Sequence, residues 1–258
     1  IVIDNPTSSI IPLMNTFSDN QDYEADMFVN NHEAKEIMDD NTLLVVVDTN
    51  KPSITQCEDL LYMAKMIVVL DHHRQGSDTI RNSVLSYIEP YASSASEMVA
   101  EILQYFTEGI RIRNVEADSI YAGIMIDTDN FMQKTGVRTF EAAAFLRRCG
   151  ADVTRVRKLF REDMNDYKAR GETIRNAELF RGQFAISECP SDYVDSPTVV
   201  GAQAANELLN IVGVKASFVL TEYKGVIYIS ARAIDEVNVQ IIMERMGGGG
   251  HLNMAGCQ

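Results

Sequence analysis

Acidic and imidazole side chains occur together in three short segments of this sequence. Asp48 directly follows an apolar run, and Asp71, His72 and His73 directly follow a second one. Asp127 ends an apolar segment further along the chain. Carboxylates that converge in a buried site repel one another and raise each other's pKa, unless a cation lies among them. Because the candidate ligands are oxygen and nitrogen atoms without thiolates, they favour manganese, magnesium or iron over structural zinc.

Each segment taken alone has a simpler interpretation. Asp48 could cap a helix, an isolated His72 could be a hydrogen-bonded core residue, and Asp127 could begin a turn. The combination favours a metal site, because two of the four histidines stand side by side directly after an acid at the end of a predicted strand. We therefore predict that Asp48, His72 and Asp127 meet around a divalent ion.

A glycine-rich segment near the C-terminus is the second candidate site. Residues 247–250 are all glycine and precede His251. Without side chains, Gly248, Gly249 and Gly250 would let backbone N–H groups approach a phosphate, to which His251 could also donate. A flexible hinge or a helix C-cap would explain the same glycines.

Ser230 and Arg232 alternate along a predicted strand in the same part of the chain. They would add a hydroxyl and a guanidinium fork, which suit a second phosphate contact. Alone, this pair is a weak signal, since most arginines at strand ends face solvent.

Two continuous apolar runs predict buried parallel strands that position the acids. Residues 43–47 and 66–70 are apolar on both faces, and residues 55–65 between them predict a crossover helix. In an open α/β sheet, the carboxyl ends of parallel strands line the crevice where ligands bind. Asp48 and Asp71 would therefore lie at the ligand-binding edge of such a sheet.

Capping and periodicity signals predict the other elements. Ser94 and Glu97 form a capping-box pattern that predicts a helix to about Phe106, and Thr139 is predicted to cap a helix that ends at Gly150. The remaining elements are a buried helix, a helical connector, three strands and a final helix, predicted at residues 115–126, 153–176, 183–187, 217–221, 225–231 and 238–246.

These elements predict an α/β protein with two domains. A parallel-sheet domain would span residues 1–152, a helical connector residues 153–176, and a smaller α/β domain residues 177–258. A chain of 258 residues with 46% hydrophobic residues is long and apolar enough for two cores. Residues 1–4 have the pattern of a strand interior, so we expect further sequence ahead of them.

Charge and cysteine content exclude several classes of function. The formal net charge is −14, from 37 acidic and 23 basic side chains, whereas a protein that binds long nucleic acid needs the reverse balance. The four cysteines are far apart and form no pairing motif, which favours reduced thiols in a cytosolic compartment. No segment is apolar over the roughly 18 residues that span a bilayer, so we expect this segment to make no membrane contact.

Together these segments resemble the DHH phosphoesterase superfamily and its DHH-associated C-terminal domain, over essentially the whole chain. Residues 71–73, Asp-His-His, are similar to the motif that gives the family its name, and residues 123–131 to its fourth motif. Residues 248–251 are similar to the glycine–histidine motif of the associated domain. Four segments resemble the GdpP-type cyclic di-AMP phosphodiesterases: residues 48–53, 71–74, 89–94 and 236–240.

The resemblance implies a metal-dependent hydrolase that converts the cyclic dinucleotide c-di-AMP to linear pApA, using a hydroxide activated by two manganese ions. It implies that Asp48 bridges the two metals and that His72 and Asp127 complete one metal site. Asp71 would orient an imidazole, and His73 would contact the phosphoryl group or assist proton transfer. The family's first motif, His-x-x-x-Asp-x-Asp, also supplies metal ligands and is expected ahead of Ile1.

The resemblance further implies a substrate cleft between the two domains. Members of the GdpP group resemble membrane-anchored bacterial proteins whose catalytic module faces the cytoplasm, and a homodimer is compatible with the resemblance. The residues of the second domain that would close over the nucleotide are Ser230, Arg232, Gly248, Gly249, Gly250 and His251.

Two alternatives stay open at this point. A relative with another substrate would share the metal site, either as an exonuclease that degrades short oligonucleotides or pApA, or as a bisphosphate nucleotide phosphatase. A non-catalytic nucleotide sensor would bind the ligand through a degenerate site. Turnover of different nucleotides separates the first alternative, and metal stoichiometry separates the second.

Overall fold

The computed structural model of the chain contains two compact units, Ile1–Arg161 and Glu162–Gln258. Each unit combines helices with a sheet, so the predicted α/β class is confirmed. The boundaries of the domains and of the connector stay predictions. The structure describes residues 1–6, 10–24, 26–106, 111–161, 163–234 and 236–258.

The first unit contains a three-stranded parallel sheet in the order β1-β2-β3. Helices precede, connect and follow these strands. In chain order the elements are α1 (Ile11–Ser18), α2 (Asn31–Ile37), β1 (Leu43–Val47), a 3-10 helix (Pro52–Ile54), α3 (Asp59–Met63), β2 (Met66–Asp71), β3 (Leu85–Ile88), α4 (Ala95–Tyr105), α5 (Asn114–Asp127), α6 (Val137–Arg148) and α7 (Val153–Leu159).

The two predicted strands that carry acids lie side by side. Strand β1 has its predicted bounds, and β2 ends one residue later than predicted, at Asp71. Val47 pairs with Leu70 in parallel register, so both strands end at the same edge of the sheet. The crossover helix is shorter than predicted, because the Thr55 hydroxyl donates to the Pro52 carbonyl (2.7 Å) and closes a 3-10 turn instead of extending α3.

Helix α5 forms the centre of the core beside this sheet. Ile124 of α5, Leu146 of α6 and Val156 of α7 are completely buried in one cluster. The prediction that Thr139 caps α6 is wrong, because the helix begins at Val137 and Gly136 is its N-cap. The Thr139 hydroxyl accepts the Gly136 N–H (3.0 Å) from inside the first turn, which stabilises the same helix end from another position.

The second unit contains a six-stranded mixed sheet in the order β4-β5-β6-β7-β9-β8. Strands β5 and β6 are parallel, and the other neighbours are antiparallel. In chain order the elements are α8 (Met164–Arg175), β4 (Glu178–Phe180), β5 (Phe184–Cys189), α9 (Pro197–Leu208), β6 (Ala216–Tyr223), β7 (Val226–Ala233), α10 (Val239–Arg245), β8 (Gly249–His251) and β9 (Met254–Cys257).

Helices cover both faces of this sheet. Leu208 of α9 and Val219 of β6 are buried in one core, while Met243 of α10 and Ala231 of β7 are buried in the other. Alternate residues of a strand therefore point to different helices, which fixes which side chains of β7 share a face. Within the described ranges, no helix combines the length and the apolarity needed to span a bilayer.

Candidate active site

Asp48 lies where β1 ends, in a backbone conformation that is uncommon for residues other than glycine. Its φ is 63°, and its N–H donates to the Leu70 carbonyl of β2 (3.0 Å). Aspartate visits the left-handed region more readily than most residues, at a cost of roughly 1–2 kcal/mol. Strained backbone of this kind is typical of functional sites, where it aims one side chain.

His72 is the centre of the candidate site. Its Nε2 atom lies 3.3 Å from Asp48 Oδ1 and 3.8 Å from Asp127 Oδ2. Its Nδ1 atom lies 3.3 Å from the Ala92 carbonyl oxygen, which can only accept. Nδ1 therefore carries the proton, and the Nε2 lone pair is directed towards two carboxylates. The structure thus brings Asp48, His72 and Asp127 together.

The electrostatics of this group need a positive charge. The hydrogen bond to Asp48, followed by the charge of Asp127, raises the pKa of His72, while burial opposes this shift. Burial, followed by the charge of Asp48, raises the pKa of Asp127. Both shifts express the same imbalance, since negative charge is concentrated here without enough cations. A divalent ion would remove it.

The donor set fits such an ion. One ligand atom from each of Asp48, Asp71, His72 and His73 lies within 4.8 Å of the others. A histidine that donates Nδ1–H to a carbonyl and presents Nε2 has the arrangement usual for metal-ligating imidazoles. Oxygen donors with one or two imidazoles suit manganese, magnesium or iron.

Asp71 differs from the other acids because its oxygens already accept hydrogen bonds. It is completely buried, its Oδ2 accepts from Asn50 Nδ2 (2.5 Å), and its Oδ1 accepts from the His73 N–H (3.1 Å) and from His73 Nδ1 (2.7 Å). Asp71 therefore holds the His73 ring with its Nε2 atom directed away from the carboxylate. The His73 side chain is 56% exposed, so Nε2 is available to a ligand.

Asp127 is held by the turn that ends α5. Thr128 is completely buried; its hydroxyl donates to the Ile124 carbonyl (2.6 Å) and accepts the Phe131 N–H (3.0 Å). Residues 129–131 all have left-handed backbone, with φ of 47°, 56° and 66°. The Thr128 hydroxyl therefore joins the end of the helix to a strained turn and fixes the carboxylate beside it.

Sequence reasoning missed Ala92, Asn50 and Thr128. The contribution of Ala92 is a backbone carbonyl, which leaves no signature in the residue type. Asn50 and Thr128 could have been found as polar residues that directly neighbour candidate ligands in buried segments.

The second candidate site lies in the second unit, on one face of the sheet. Arg232 of β7 pairs with Met254 of β9, which pairs with His251 of β8. Residues that pair directly across antiparallel strands share a face of the sheet. The Arg232 and His251 side chains therefore project from the same face, on either side of the exposed Met254.

A parallel row of small residues lies beside this one. Ser230 pairs with Gly256, and Gly256 pairs with Gly249. A Cβ atom added at Gly249 would meet nothing within 4 Å. The face next to Ser230 is therefore bare backbone, bordered by Arg232 and His251. A bare backbone with neighbouring cationic and hydroxyl groups suits a phosphate.

The other glycines of the segment have structural roles. Gly247 (φ 87°) ends α10: its N–H donates to Glu244 O, and the Gly248 N–H donates to Met243 O (2.8 Å), which is a Schellman motif. A Cβ at Gly248 would lie 2.0 Å from the Gly256 carbonyl oxygen. Gly247 thus acts as a helix C-cap, one of the alternatives that the sequence left open.

Gly250 is also constrained by packing, since its φ is 146° and an added Cβ would lie 2.5 Å from Ala255 Cα. The backbone of Gly248 and Gly250 is closely packed against β9. Among the three glycines that were predicted to bind substrate, Gly249 is the one that faces open space.

Arg232 has a guanidinium that is incompletely paired. Its Nη1 donates to the Ala231 carbonyl (2.9 Å), and its buried Nε has no hydrogen-bond partner among the described residues. Burial lowers the pKa of Arg232 below its ordinary value. An unpartnered buried donor is costly, and an anionic ligand would satisfy it.

Comparisons with known proteins agree with this architecture. Residues 4–124 match the DHH family, N-terminal domain, and residues 183–258 match the DHHA1 domain. A crystal structure of an exopolyphosphatase-related protein from Bacteroides fragilis has a TM-score of 0.81 and 19% identity, covering 100% of this chain and 76% of the other. At this identity the likeness shows the fold alone.

Two curated relatives are more similar in sequence. The cyclic-di-AMP phosphodiesterase GdpP of Geobacillus thermodenitrificans is 45% identical over 88% of this chain and 34% of its own length. The cyclic-di-AMP phosphodiesterase PdeA of Listeria monocytogenes is 42% identical over 87% of this chain and 34% of its own length. The chain therefore spans about a third of the length of the curated relatives it matches.

Proposed function

This chain belongs to the DHH family, carrying a DHHA1 domain behind the DHH domain, and on that premise we propose that it hydrolyses cyclic di-AMP to linear pApA. The reaction would break one phosphodiester bond with water. The observation that carries the proposal is the convergence of Asp48, His72 and Asp127 in a chain 45% identical to a relative named as a cyclic-di-AMP phosphodiesterase.

We infer that divalent cations, manganese by resemblance and two in number, are held at the first site. Asp48, His72 Nε2 and Asp127 would be the ligands from this chain, and Asp48 is the residue best placed to be shared. When bound, such cations activate water and stabilise charge on the attacking and leaving oxygens of a phosphodiester. Asp71 would not ligate, because its oxygens already accept from Asn50 and His73.

His73 is proposed to act on the phosphoryl group. Asp71 fixes its Nδ1 proton, so Nε2 accepts or donates towards a bound substrate. In that position the ring can hydrogen-bond a phosphoryl oxygen or deliver a proton to the departing sugar oxygen, which needs a proton as the bond breaks. The carboxylate behind the ring favours its protonated form, as in other paired imidazoles.

The DHHA1 domain is proposed to bind the phosphate of the nucleotide. Arg232 would offer its fork, Ser230 its hydroxyl and His251 its ring, while Gly249 would let the phosphate approach the backbone. This local group accommodates an anion although the whole chain has a net charge of −14. Gly248 and Gly250 would contribute by shaping β8. The predicted cleft between the domains stays a prediction.

We propose that the complete protein is a bacterial cell-membrane protein and that this segment is its cytoplasmic catalytic module. This proposal rests on the resemblance to the GdpP group. A homodimer also stays a prediction, which sedimentation equilibrium of the purified chain would test. Adenine as the base likewise rests on the relatives.

The proposal is tested by turnover of four nucleotides with Mn²⁺: c-di-AMP, c-di-GMP, pApA and a longer oligonucleotide. The assay uses this chain and a version extended at its N-terminus with the family's first motif. Preferred conversion of c-di-AMP to pApA supports the proposal. Faster turnover of pApA or of the oligonucleotide would assign the chain to the nuclease and phosphatase class instead. Binding of c-di-AMP by the extended version without turnover or tightly bound metal would indicate a sensor.

A further inference from the structure

One peptide group connects the candidate metal ligand His72 to a buried carboxylate. The carbonyl of the peptide between Ala92 and Ser93 accepts from His72 Nδ1 (3.3 Å). The N–H of the same peptide, which belongs to Ser93, donates to Glu97 Oε2 (3.3 Å). We propose that Glu97 is a positioning residue for His72 and that it acts through this peptide. The proposal rests on the proposed function in one respect, that His72 ligates a metal.

Glu97 departs from the capping geometry that its position predicts. Ser94 is the N-cap of α4 and accepts the Glu97 N–H (2.9 Å), as a capping box requires. In the reciprocal half of the motif, Glu97 would accept the Ser94 N–H. Instead it accepts the N–H and the hydroxyl of Ser93, the latter at 2.5 Å. The carboxylate is thus directed at the peptide that contacts His72.

This carboxylate is almost fully buried, with 1% of its residue surface exposed. Burial of a charged carboxylate is costly unless donors and a cation surround it. The Ser93 groups supply two donors, and Arg138 Nε lies 3.9 Å from Glu97 Oε1. The hydrogen bonds of Arg138 to Glu101 hold the pKa of this guanidinium above its usual value, so it stays charged.

A negative charge on the amide side of a peptide strengthens its carbonyl as an acceptor, because hydrogen bonds in a chain polarise one another. The Ala92 carbonyl would therefore hold the His72 Nδ1 proton more firmly. This fixes the tautomer in which Nε2 presents its lone pair to Asp48 and Asp127. Many metal-ligating histidines are oriented by a directly bonded carboxylate. Here one peptide group lies between the two.

A purely structural role for Glu97 predicts something different. If Glu97 only fixed the start of α4, its loss would lower the stability of the domain and leave the His72 tautomer and the intrinsic metal affinity unchanged. The positioning role requires both of these to change. They are therefore the properties that an experiment must measure.

The decisive comparison is Glu97→Gln against Glu101→Gln. Each variant removes one carboxylate charge near the same guanidinium, but Glu101 bonds to Arg138 and has no contact with Ser93 among the described residues. We expect Glu97→Gln to weaken Mn²⁺ binding to the metal-free protein about tenfold in calorimetric titration, the range typical of such outer partners. Glu101→Gln should change the affinity less than twofold. Equal affinities in the two variants would overturn the proposal.

The His72 tautomer provides a readout that needs no metal. In long-range ¹H–¹⁵N spectra of the metal-free chain, His72 should show one tautomer protonated at Nδ1, and Glu97→Gln should populate the other. A spectrum that Glu97→Gln leaves unchanged would reject the positioning role. If the unchanged chain bound no Mn²⁺, the proposed function would fail, while a tautomer change confined to Glu97→Gln would still support the role of Glu97.

Should Glu97→Gln fail to fold, Ser93→Ala is the second variant. It removes the Ser93 hydroxyl that orients Glu97 and keeps the peptide N–H. We expect a weakening of Mn²⁺ binding in the same direction but smaller, about threefold. Unchanged affinity in a folded Ser93→Ala protein would overturn the proposal.

Discussion

Asp48 and Asp127 direct carboxylate oxygens at the same atom, His72 Nε2, from 3.3 and 3.8 Å. One follows a strand and the other ends a helix, so the sheet and the helix layer must both be in place before the site exists. Two carboxylates in this arrangement repel each other unless a cation lies between them. The stability of the domain should therefore depend on metal in a way that single substitutions reveal.

Asp127→Asn should uncouple stability from metal. Without metal, the variant is expected to unfold at the same temperature as the unchanged chain or a higher one, because a repelling charge has been removed. With Mn²⁺ in excess, the unchanged chain should gain about 5 °C or more, and the variant much less. Scanning calorimetry with and without Mn²⁺ measures both effects.

Asp129→Asn is the matched control for this prediction. Asp129 is exposed and lies two residues away, and asparagine tolerates its left-handed backbone. The control should keep the full stabilisation by Mn²⁺. An equal loss in Asp129→Asn would mean that general negative charge, rather than the geometry at His72, binds the ion.

Gly249→Ala and Gly248→Ala should have opposite effects. A methyl group at Gly249 enters open space, so the fold is kept while a phosphate is pushed from the backbone; we expect KM to rise about tenfold. At Gly248 the methyl group would meet the Gly256 carbonyl at 2.0 Å, so the hairpin of β8 and β9 should be disrupted. Thermal unfolding and c-di-AMP kinetics distinguish the two. A destabilised Gly249→Ala protein with unchanged KM would contradict the assignment.

Arg232→Met should trade binding for stability. The substitution removes a buried Nε without a partner, which costs about 1–3 kcal/mol in the folded state, and keeps most of the side-chain volume. The variant is expected to be at least as stable in urea as the unchanged chain, while its affinity for c-di-AMP falls tenfold or more. Arg232→Lys should also bind weakly, because a single ammonium cannot form the fork. Reduced stability with intact binding in Arg232→Met would show that the guanidinium supports the fold instead.

Much of the first site could be predicted because its determinants are local. β-branched runs that end in acids fix β1 and β2, and parallel register then places Asp48 and Asp71 at one edge. His72 and Asp127 follow from the same logic, since each lies at the end of a strongly apolar element. What the sequence could not show is the Ala92 carbonyl, because a backbone group has no residue type.

The second site was less predictable. Strands β8 and β9 are short and glycine-rich, and their place in the sheet depends on pairing with β7, more than 20 residues earlier. Periodicity cannot reveal such pairing. The sequence therefore suggested one continuous glycine nest, whereas the structure divides the segment into a helix cap at Gly247, two packed glycines and the open Gly249.

Thr128→Val tests whether the turn after α5 fixes Asp127. Valine keeps the shape of threonine but removes a hydroxyl that donates to Ile124 and accepts from Phe131, so the turn loses both bonds in a completely buried position. We expect the free energy of unfolding to fall by about 1–3 kcal/mol. We also expect Mn²⁺ binding to weaken about tenfold, because the three left-handed residues that follow are no longer tied to the helix.

Ser119→Ala separates the two effects. Its hydroxyl donates to the Val115 carbonyl (2.7 Å), the same kind of bond to the preceding helical turn, but in the middle of α5 and away from Asp127. Calorimetric titration with Mn²⁺ should give this variant the affinity of the unchanged chain, while urea unfolding shows a small change in stability. If Thr128→Val lost stability yet bound Mn²⁺ as tightly as Ser119→Ala, the turn would support the helix alone, and the position of Asp127 would be set by the packing of α5.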